Sequence, residues 1–308
     1  MRLAFAGAIM LAGAAQAEVP QVVADIAPVH ALVARVMQGV GEPALLVEPG
    51  ASPHGYALRP SRAAALDRAQ AVFWMGEGLE PWLEGPLETL GDKATVVELL
   101  QVPGTTVLEF REGATFEAHE HEAEGGSHAD EHGHDEHGHE EGDPHAWLDP
   151  MNAWVWLGAI ADTLGQIDPD NAARYAANAA EGRAELDALT AELTATLADV
   201  AGLKFIVFHD AFHYFENRFG LSAAGAISLS DASDPSARRI AEIRQTVTQM
   251  NVTCVFTEPQ FNPGLINTVT EAGVNVATLD PLGANHQAGW PLYAQMLRDL
   301  AESIRDCQ

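Results

Sequence analysis

Lysine and arginine are scarce in this chain of 308 residues, with 16 of them against 44 aspartates and glutamates and a net charge of −28. A nucleic-acid-binding surface, or a surface held on an anionic membrane, needs the opposite balance of charge. The composition therefore argues against nucleic acid as a partner. Much of the negative charge lies in one histidine-rich run, so it describes that segment as much as a folded surface.

Long apolar runs are also missing. No segment reaches the roughly 18 to 20 uninterrupted apolar residues that a membrane helix needs. At the N-terminus Arg2 precedes a short apolar stretch, and Ala15-Gln16-Ala17 has the form of a signal-peptidase site. We therefore expect a cleavable signal peptide over residues 1–17 and export to a bacterial periplasm. Because no cysteine lies at the cleavage point, a lipid anchor cannot be attached there.

Cysteine is rare, and its two positions are Cys254 and Cys307. In an oxidising compartment two thiols are more often paired than unpaired. Cys254 lies in an apolar run typical of a strand, and Cys307 is the penultimate residue. Pairing would join the C-terminal helix to a strand, whereas two buried, unpaired thiols are the alternative.

The order of apolar runs predicts an α/β protein with mostly parallel sheets flanked by helices, because short strands alternate with helical stretches. A mature chain of about 290 residues exceeds the usual single core, so we expect two domains. Asp168-Pro169 begins a helix that only Gly182 interrupts before residue 200, and about 30 residues span roughly 45 Å. The predicted strands are QVVADIA, ALLVEPG, AVFWMG, TVVELL, KFIVFHD, SAAGAIS, VTCVFTEP and VNVATLD.

One segment, residues 117–143, consists almost entirely of histidine, acidic residues and glycine. It cannot form a core, so we expect a mobile, solvated loop. Imidazoles among carboxylates favour capture of borderline metal ions, and we interpret the loop as a low-affinity metal collector. An acidic, solubilising loop is the alternative. Its seven histidines are His119, His121, His128, His132, His134, His137 and His139.

Three histidines outside that loop occupy positions typical of ligands. His54 follows the strand ALLVEPG, His209 closes KFIVFHD, and His145 lies just before a helix. Ligands of open parallel sheets bind beyond the carboxyl ends of the strands. Asp280 ends VNVATLD and has the equivalent position in the second half of the chain. Although a single histidine is more often structural, three imidazoles and one carboxylate make a tetrahedral set suited to Zn²⁺.

Other polar residues support weaker interpretations. We expect His30 and His213 to be structural, whereas His286 follows Asp280 closely enough to flank a site. Glu258 ends the strand VTCVFTEP, and Arg59 follows the His54 loop. Glu258 is a candidate to support a metal ligand from behind. Arg59 is a candidate to hold a carboxylate through a charge-assisted hydrogen bond.

Five motifs resemble those of the periplasmic solute-binding proteins of ABC-type metal importers, the cluster A-I family, and most closely its zinc-specific ZnuA type. They are GASPHGYALRPS, DPHAWLDP, VFHDAFHYFENRFGL, CVFTEPQFNP and TLDPLG. The resemblance covers essentially the whole mature chain. It implies two α/β lobes, residues 18–167 and 203–308, joined by one long rigid helix over residues 168–202, with metal bound in the cleft between them.

The resemblance also implies a function and a ligand set. It implies that the protein captures Zn²⁺ in the periplasm and delivers it to a membrane permease with a cytoplasmic ATPase. Position by position, the zinc ligands correspond to His54, His145 and His209, and manganese-binding relatives typically have glutamate at the third position. Some zinc members carry glutamate immediately before the first histidine, where this chain has Pro53. Asp280 or a water is therefore expected as the fourth ligand.

The resemblance supports a Cys254–Cys307 disulfide, which zinc-binding members often carry. A periplasmic zinc chaperone that loads the site is a further candidate partner, and we expect a monomer.

Three other functions remain to be weighed. A zinc hydrolase would need a general base and a substrate pocket, and the chain has no HExxH motif, so we expect no enzyme activity. A zinc buffer or metallochaperone would depend mainly on the histidine-rich loop. A manganese or iron importer is disfavoured by His209, because harder cations prefer oxygen ligands.

Overall fold

The computed structural model describes residues 19–111, 116, 142–228, 235–261 and 274–307. The predicted signal peptide and all seven loop histidines lie outside these ranges. So does the helix expected between the last two strands, and these three features stay predictions.

The N-terminal part contains a four-stranded parallel sheet in the order β2-β1-β3-β4. Its β3 strand is buried along its whole length, as expected for a central strand covered on both faces. Each of the first two helices has a proline in its first turn, Pro28 and Pro60, where the N–H that proline lacks would have no partner. The elements are β1 Val22–Ala24, α1 Ala27–Val36, β2 Ala44–Leu45, α2 Pro60–Asp67, β3 Ala71–Trp74, α3 Glu84–Thr89 and β4 Thr95–Glu98.

Two consecutive helices follow, α4 over Pro150–Ile167 and α5 over Ala172–Leu197. The predicted helix start at Asp168-Pro169 is confirmed, although the first residues, Pro169–Asn171, form a 3-10 turn. The Asp168 carboxylate does not cap a backbone N–H of that turn, since it accepts a hydrogen bond from the Tyr175 hydroxyl at 2.8 Å. One face of α5 is buried through Leu186, Leu189, Leu193 and Leu197. At 1.5 Å per residue α5 is roughly 39 Å long.

The C-terminal part contains a second four-stranded parallel sheet, in the order β6-β5-β7-β8. Its last helix, α8, packs against α1 and α5, so the end of the chain returns to the N-terminal part. No helix within the described ranges is both long enough and apolar enough to span a bilayer. The elements are β5 Phe205–His209, α6 His213–Phe219, β6 Gly225–Ser228, α7 Ala237–Gln249, β7 Cys254–Thr257, β8 Asn275–Thr278 and α8 Trp290–Asp306.

The predicted α/β class, with two parallel sheets and a long helix, is confirmed by this architecture. One predicted strand, ALLVEPG, is much shorter than expected and ends at Leu45. The chain turns at Gly50, whose φ of 81° is in the left-handed region that glycine adopts without strain. This turn leads into the segment that carries His54.

Candidate metal centre

His54 lies in the loop between β2 and α2 and is half-buried. Two contacts hold this loop. The indole N–H of Trp82 donates to the Pro53 carbonyl at 2.6 Å, and Arg59 pairs with Glu48 at 2.8 Å. Arg59 therefore binds a carboxylate, as predicted, but that carboxylate belongs to the chain just before the His54 loop.

His145 precedes a 3-10 turn, Ala146–Leu148, that leads into α4. Its Nδ1 lies 2.7 Å from Asp143 Oδ1, and its backbone N–H donates to the same oxygen at 3.0 Å. Burial lowers the pKa of His145 well below its ordinary value, so the ring is neutral near pH 7. Its buried Nε2 has no hydrogen-bond partner within the described residues. That lone pair is therefore available to a metal ion.

His209 is the last residue of β5, and its ring is held in the same way. Its Nδ1 lies 2.7 Å from Oε1 of Glu258, and its backbone N–H donates to that oxygen at 3.2 Å. Glu258 directly follows β7, the neighbouring strand in the sheet. A carboxylate that accepts from Nδ1 fixes the tautomer and turns Nε2 toward a metal, which is the usual support of metal-binding histidines. The predicted role of Glu258 behind a ligand agrees with this contact.

The three histidines come together in one place. One nitrogen of each ring lies within 4.8 Å of the others. The cavity between them has a volume of about 10 Å³, close to the smallest volume that holds one water molecule. Zinc bound by imidazoles at 2.0–2.1 Å would draw the nitrogens to about 3.4 Å from one another, so a small inward movement completes the geometry. The cavity is lined by Pro53, His54, His145, Trp147, His209, Glu258, Gln260, Pro281 and Leu282.

Asp280 is not part of this group. Its Oδ1 accepts backbone N–H groups from Leu282 at 3.1 Å and Gly283 at 2.9 Å, and its Oδ2 accepts the N–H of Ala284 at 2.7 Å. The carboxylate therefore stabilises its own turn. It lines a separate surface cavity together with His286 and Asp299. Of the four predicted ligands, the structure brings three together and leaves Asp280 outside.

The remaining histidines have different surroundings. His30 Nε2 lies 3.0 Å from the Pro43 carbonyl, a contact that agrees with the predicted structural role. His286 pairs with Asp299 at 2.8 Å, beside the surface cavity and away from the three histidines. His213 Nδ1 lies 3.9 Å from Asp143, the carboxylate that also holds His145.

Beside the three histidines, ion pairs connect the N-terminal part of the chain to α6 and to the end of β5. Arg111 binds Asp210, the residue after His209, and Glu216 on α6. Burial by itself would lower the pKa of Arg111, but the bonds to Glu216 and Asp210 outweigh it and raise the pKa. Asp149 caps α4 by accepting the N–H of Met151, and it also pairs with Arg218 of α6. The segment that carries His145 is therefore held through Asp149 to both α4 and α6.

Sequence reasoning missed two residues of this centre. Asp143 supports His145, and the signal was its position two residues before a candidate ligand, where a carboxylate can reach back to the ring. Gln260 lines the cavity, and the signal was its place just beyond the carboxyl end of β7.

Known proteins resemble this chain over almost its whole length. The family model described as "Zinc-uptake complex component A periplasmic", ZnuA, matches residues 22–307. The high-affinity zinc uptake system protein ZnuA of Brucella abortus is 45% identical over 303 residues, which cover 93% of this chain and 91% of that protein. The protein of the same name from Paracoccus denitrificans is 42% identical over 316 residues, covering 95% and 93%.

Solved structures share the fold. A crystal structure of ZnuA aligns with a TM-score of 0.76 at 28% identity, covering 94% of this chain and 99% of that chain. A zinc-bound ZnuA deletion mutant aligns with a TM-score of 0.75 at 27% identity, covering 94% and 98%.

Proposed function

The chain belongs to the ZnuA family of periplasmic zinc-uptake components, and we propose that it captures one Zn²⁺ ion with His54, His145 and His209 and delivers it for uptake. The observation that carries this proposal is the meeting of three imidazole nitrogens within 4.8 Å. Neutral imidazoles are ligands for borderline cations, whereas manganese and magnesium prefer oxygen.

The charges behind the ligands support a dication. Asp143 and Glu258 accept hydrogen bonds from Nδ1 of His145 and His209. Both carboxylates are buried, so each negative charge is desolvated unless a cation is near. A bound Zn²⁺ offsets the two charges through the imidazoles that lie between, which stabilises the loaded state.

A protein that delivers zinc must bind the ion reversibly, so at least one ligand must be able to move away from it. His145, just before α4, and His209, at the end of β5, are buried, whereas His54 is half-buried on a loop. We propose that zinc enters and leaves on the side of His54. The contacts of Trp82 with Pro53 and of Arg59 with Glu48 would set how easily that loop moves.

The small cavity also bears on catalysis. A zinc hydrolase needs space beside the metal for water and for a substrate. The cavity between the histidines is about 10 Å³, about the volume that one water molecule needs and far smaller than a substrate pocket, and we propose that the protein is not an enzyme.

Partners and location follow from family membership as proposals. The protein would be exported by a signal peptide over residues 1–17, act as a monomer, and pass zinc to an ABC permease with a cytoplasmic ATPase. A periplasmic chaperone would be an accessory partner. The histidine-rich residues 117–141 would collect additional zinc weakly, because flexible ligands lose conformational entropy on chelation. Ions held there would be at high effective concentration near the cleft.

Calorimetric titration tests the cleft separately from the loop. A variant without residues 117–141 should bind about one zinc ion with the affinity of the cleft. Adding His54→Ala, His145→Ala or His209→Ala should then weaken that binding by orders of magnitude. His286→Ala is the matched control, because His286 pairs with Asp299 outside the centre.

Two results would contradict the proposal. If the loop-deleted protein bound no zinc tightly, the loop would be the main site and the protein a zinc buffer. If the His54→Ala, His145→Ala double variant without the loop still bound zinc tightly, the three histidines would not form the site.

A further inference from the structure

Two acids, Asp25 and Glu80, lie side by side in the interior of the N-terminal part of the chain. Both are 0% exposed. Asp25 directly follows β1, and its carboxylate accepts the backbone N–H groups of Ile26 and Met75 at 2.6 Å each. Both oxygens of Glu80 are buried, and no N–H or O–H group of the described residues donates to them. A buried carboxyl group without a donor is costly, so Glu80 needs a partner.

A shared proton provides that partner. The carboxyl group of Glu80 is within hydrogen-bond reach of Asp25. Two carboxylates cannot bond to each other unless one of them is protonated, because an ionised carboxylate only accepts. Burial raises the pKa of both acids, and no cation of the described residues is among the groups that shift either pKa. A proton held between the two carboxyl groups therefore joins Glu80 to the end of β1.

The position of Glu80 links this pair to the metal centre. Glu80 lies between β3 and α3, and its carbonyl accepts the N–H of Leu83 at 2.9 Å, which closes a turn around Trp82. The indole N–H of Trp82 donates to the Pro53 carbonyl at 2.6 Å. Pro53 directly precedes His54. The turn that the acid pair fastens to β1 is thus the turn that holds the His54 loop.

The other charged groups around this turn and loop are two acids and one ion pair. Glu77 is exposed, and Glu98 of β4 lies against Gly76 at the start of the turn. Arg59 pairs with Glu48 at 2.8 Å on the opposite side of the loop. Loss of the shared proton would leave two buried carboxylates facing each other. Their repulsion would move the turn away from β1.

We infer that Asp25 and Glu80 are positioning residues whose shared proton fastens the Trp82 turn and, through it, the loop that carries His54. This inference rests on the proposed zinc site. While the proton is present, the loop is held and zinc leaves slowly. Once both acids are ionised, the turn loosens and zinc leaves faster. Protonation of the histidine ligands has the opposite dependence, because it releases zinc as the pH falls.

Zinc release from protein without residues 117–141, measured by rapid mixing with a chelator, tests the inference. We expect the wild-type release rate to rise between about pH 7 and about pH 9, a range in which imidazole ligands are already neutral. Glu80→Gln keeps an N–H donor toward the ionised Asp25, so its release should stay slow and lose this rise. Glu80→Ala removes the bond and should release zinc about tenfold faster at about pH 7, the scale of one hydrogen bond to a charged group.

Two further variants check the path and its specificity. Trp82→Phe keeps an aromatic ring but loses the N–H that reaches Pro53, so its release should be faster than wild type and nearly independent of pH in this range. Glu77→Gln, at an exposed position of the same turn, is the matched control and should follow the wild-type profile. The melting temperature of each metal-free variant checks that the fold is intact. If Glu80→Ala does not fold, the Glu80→Gln profile decides.

The outcomes separate the two proposals. If the loop-deleted wild type binds no zinc tightly, the proposed function fails. If it binds zinc tightly but releases it at the same rate at both pH values, or if Glu80→Gln shows the same rise as wild type, Asp25 and Glu80 do not hold the His54 loop.

Discussion

Asp143 binds His145 twice through a single oxygen, accepting its Nδ1–H at 2.7 Å and its backbone N–H at 3.0 Å. Burial raises the pKa of Asp143 to about 7, an effect that the His145 backbone bond partly offsets. The buried surroundings of Asp143 therefore disfavour the charged form of its carboxyl group. A cation bound by His145 is the simplest compensation.

We expect Asp143→Asn to weaken zinc binding by about 10- to 100-fold, the range found for groups that support metal ligands. The asparagine still fits the space, but it removes the negative charge behind the imidazole. Chelator competition measures the effect. Asp67→Asn on the exposed surface of α2 is the matched control. Unchanged affinity in Asp143→Asn would show that this carboxylate serves only the local backbone.

The buried acids Asp25 and Glu80 give a prediction about the dependence of stability on pH. Asp25 follows β1, and its Oδ2 accepts the Met75 N–H at 2.6 Å. Burial raises its pKa from 3.8 to about 7. Burial, and then the nearby charge of Asp25, raise the pKa of Glu80 well above its ordinary value. Acids with a raised pKa favour folding while protonated, so the stability that they contribute is lost as the pH rises from about 4 through 7.

We expect Glu80→Gln to raise the free energy of unfolding at pH 8 by about 1–3 kcal/mol, because an amide can donate to the ionised Asp25 instead of repelling it. The dependence of stability on pH between 4 and 7 should also become weaker. Denaturant unfolding of metal-free protein at several pH values measures both effects. Glu77→Gln, an exposed neighbour, is the control. Equal pH profiles for Glu80→Gln and wild type would refute the interaction.

Arg111 gives a prediction about how the two parts of the chain hold together. Its guanidinium is largely buried against Asp210 and Glu216. Arg111→Met should lower the free energy of unfolding by about 3–5 kcal/mol, because both carboxylates would remain buried without their cation. Arg238→Met is the control, since Arg238 forms a solvent-exposed pair with Glu242 and should matter little. A similar melting temperature for the two variants would contradict this account.

The Cys254–Cys307 disulfide is present, as predicted, and joins β7 to the end of α8. It closes a loop with a sequence separation of 53 residues. The chain-entropy estimate for such a loop is about 4 kcal/mol as an upper value. Reduction should therefore lower the melting temperature but leave zinc stoichiometry unchanged, as measured by calorimetry with and without reductant. Loss of zinc on reduction would assign the cysteines a role at the metal centre.

The hydrophobic pattern predicted all eight described strands, because short apolar runs bounded by glycine and proline are typical of buried parallel strands. It missed α3, Glu84–Thr89, where Gly85 and Pro86 obscure a short helix. It also extended β2 too far, since apolar residues continue beyond Leu45 into a turn. Periodicity locates elements well, but it locates their ends poorly.

The metal centre was predictable to the extent that backbone position determines it. His54, His145 and His209 meet because the carboxyl ends of the strands and the segment before α4 converge. Asp280 has an equivalent backbone position, yet its side chain turns to three N–H groups of the next loop. Which way a side chain points depends on local hydrogen bonds that a strand pattern does not specify.

The return of α8 to the N-terminal part has a consequence for ion selection. The last helix packs on both α1 and α5. Arg35 of α1 also pairs with Glu181 and Glu185 of α5, so these three helices are held together. One nitrogen of each imidazole already lies within 4.8 Å of the others before an ion arrives. Calcium and magnesium take oxygen ligands, which three imidazole nitrogens do not supply. We therefore expect the arrangement of the three rings to disfavour these abundant hard cations.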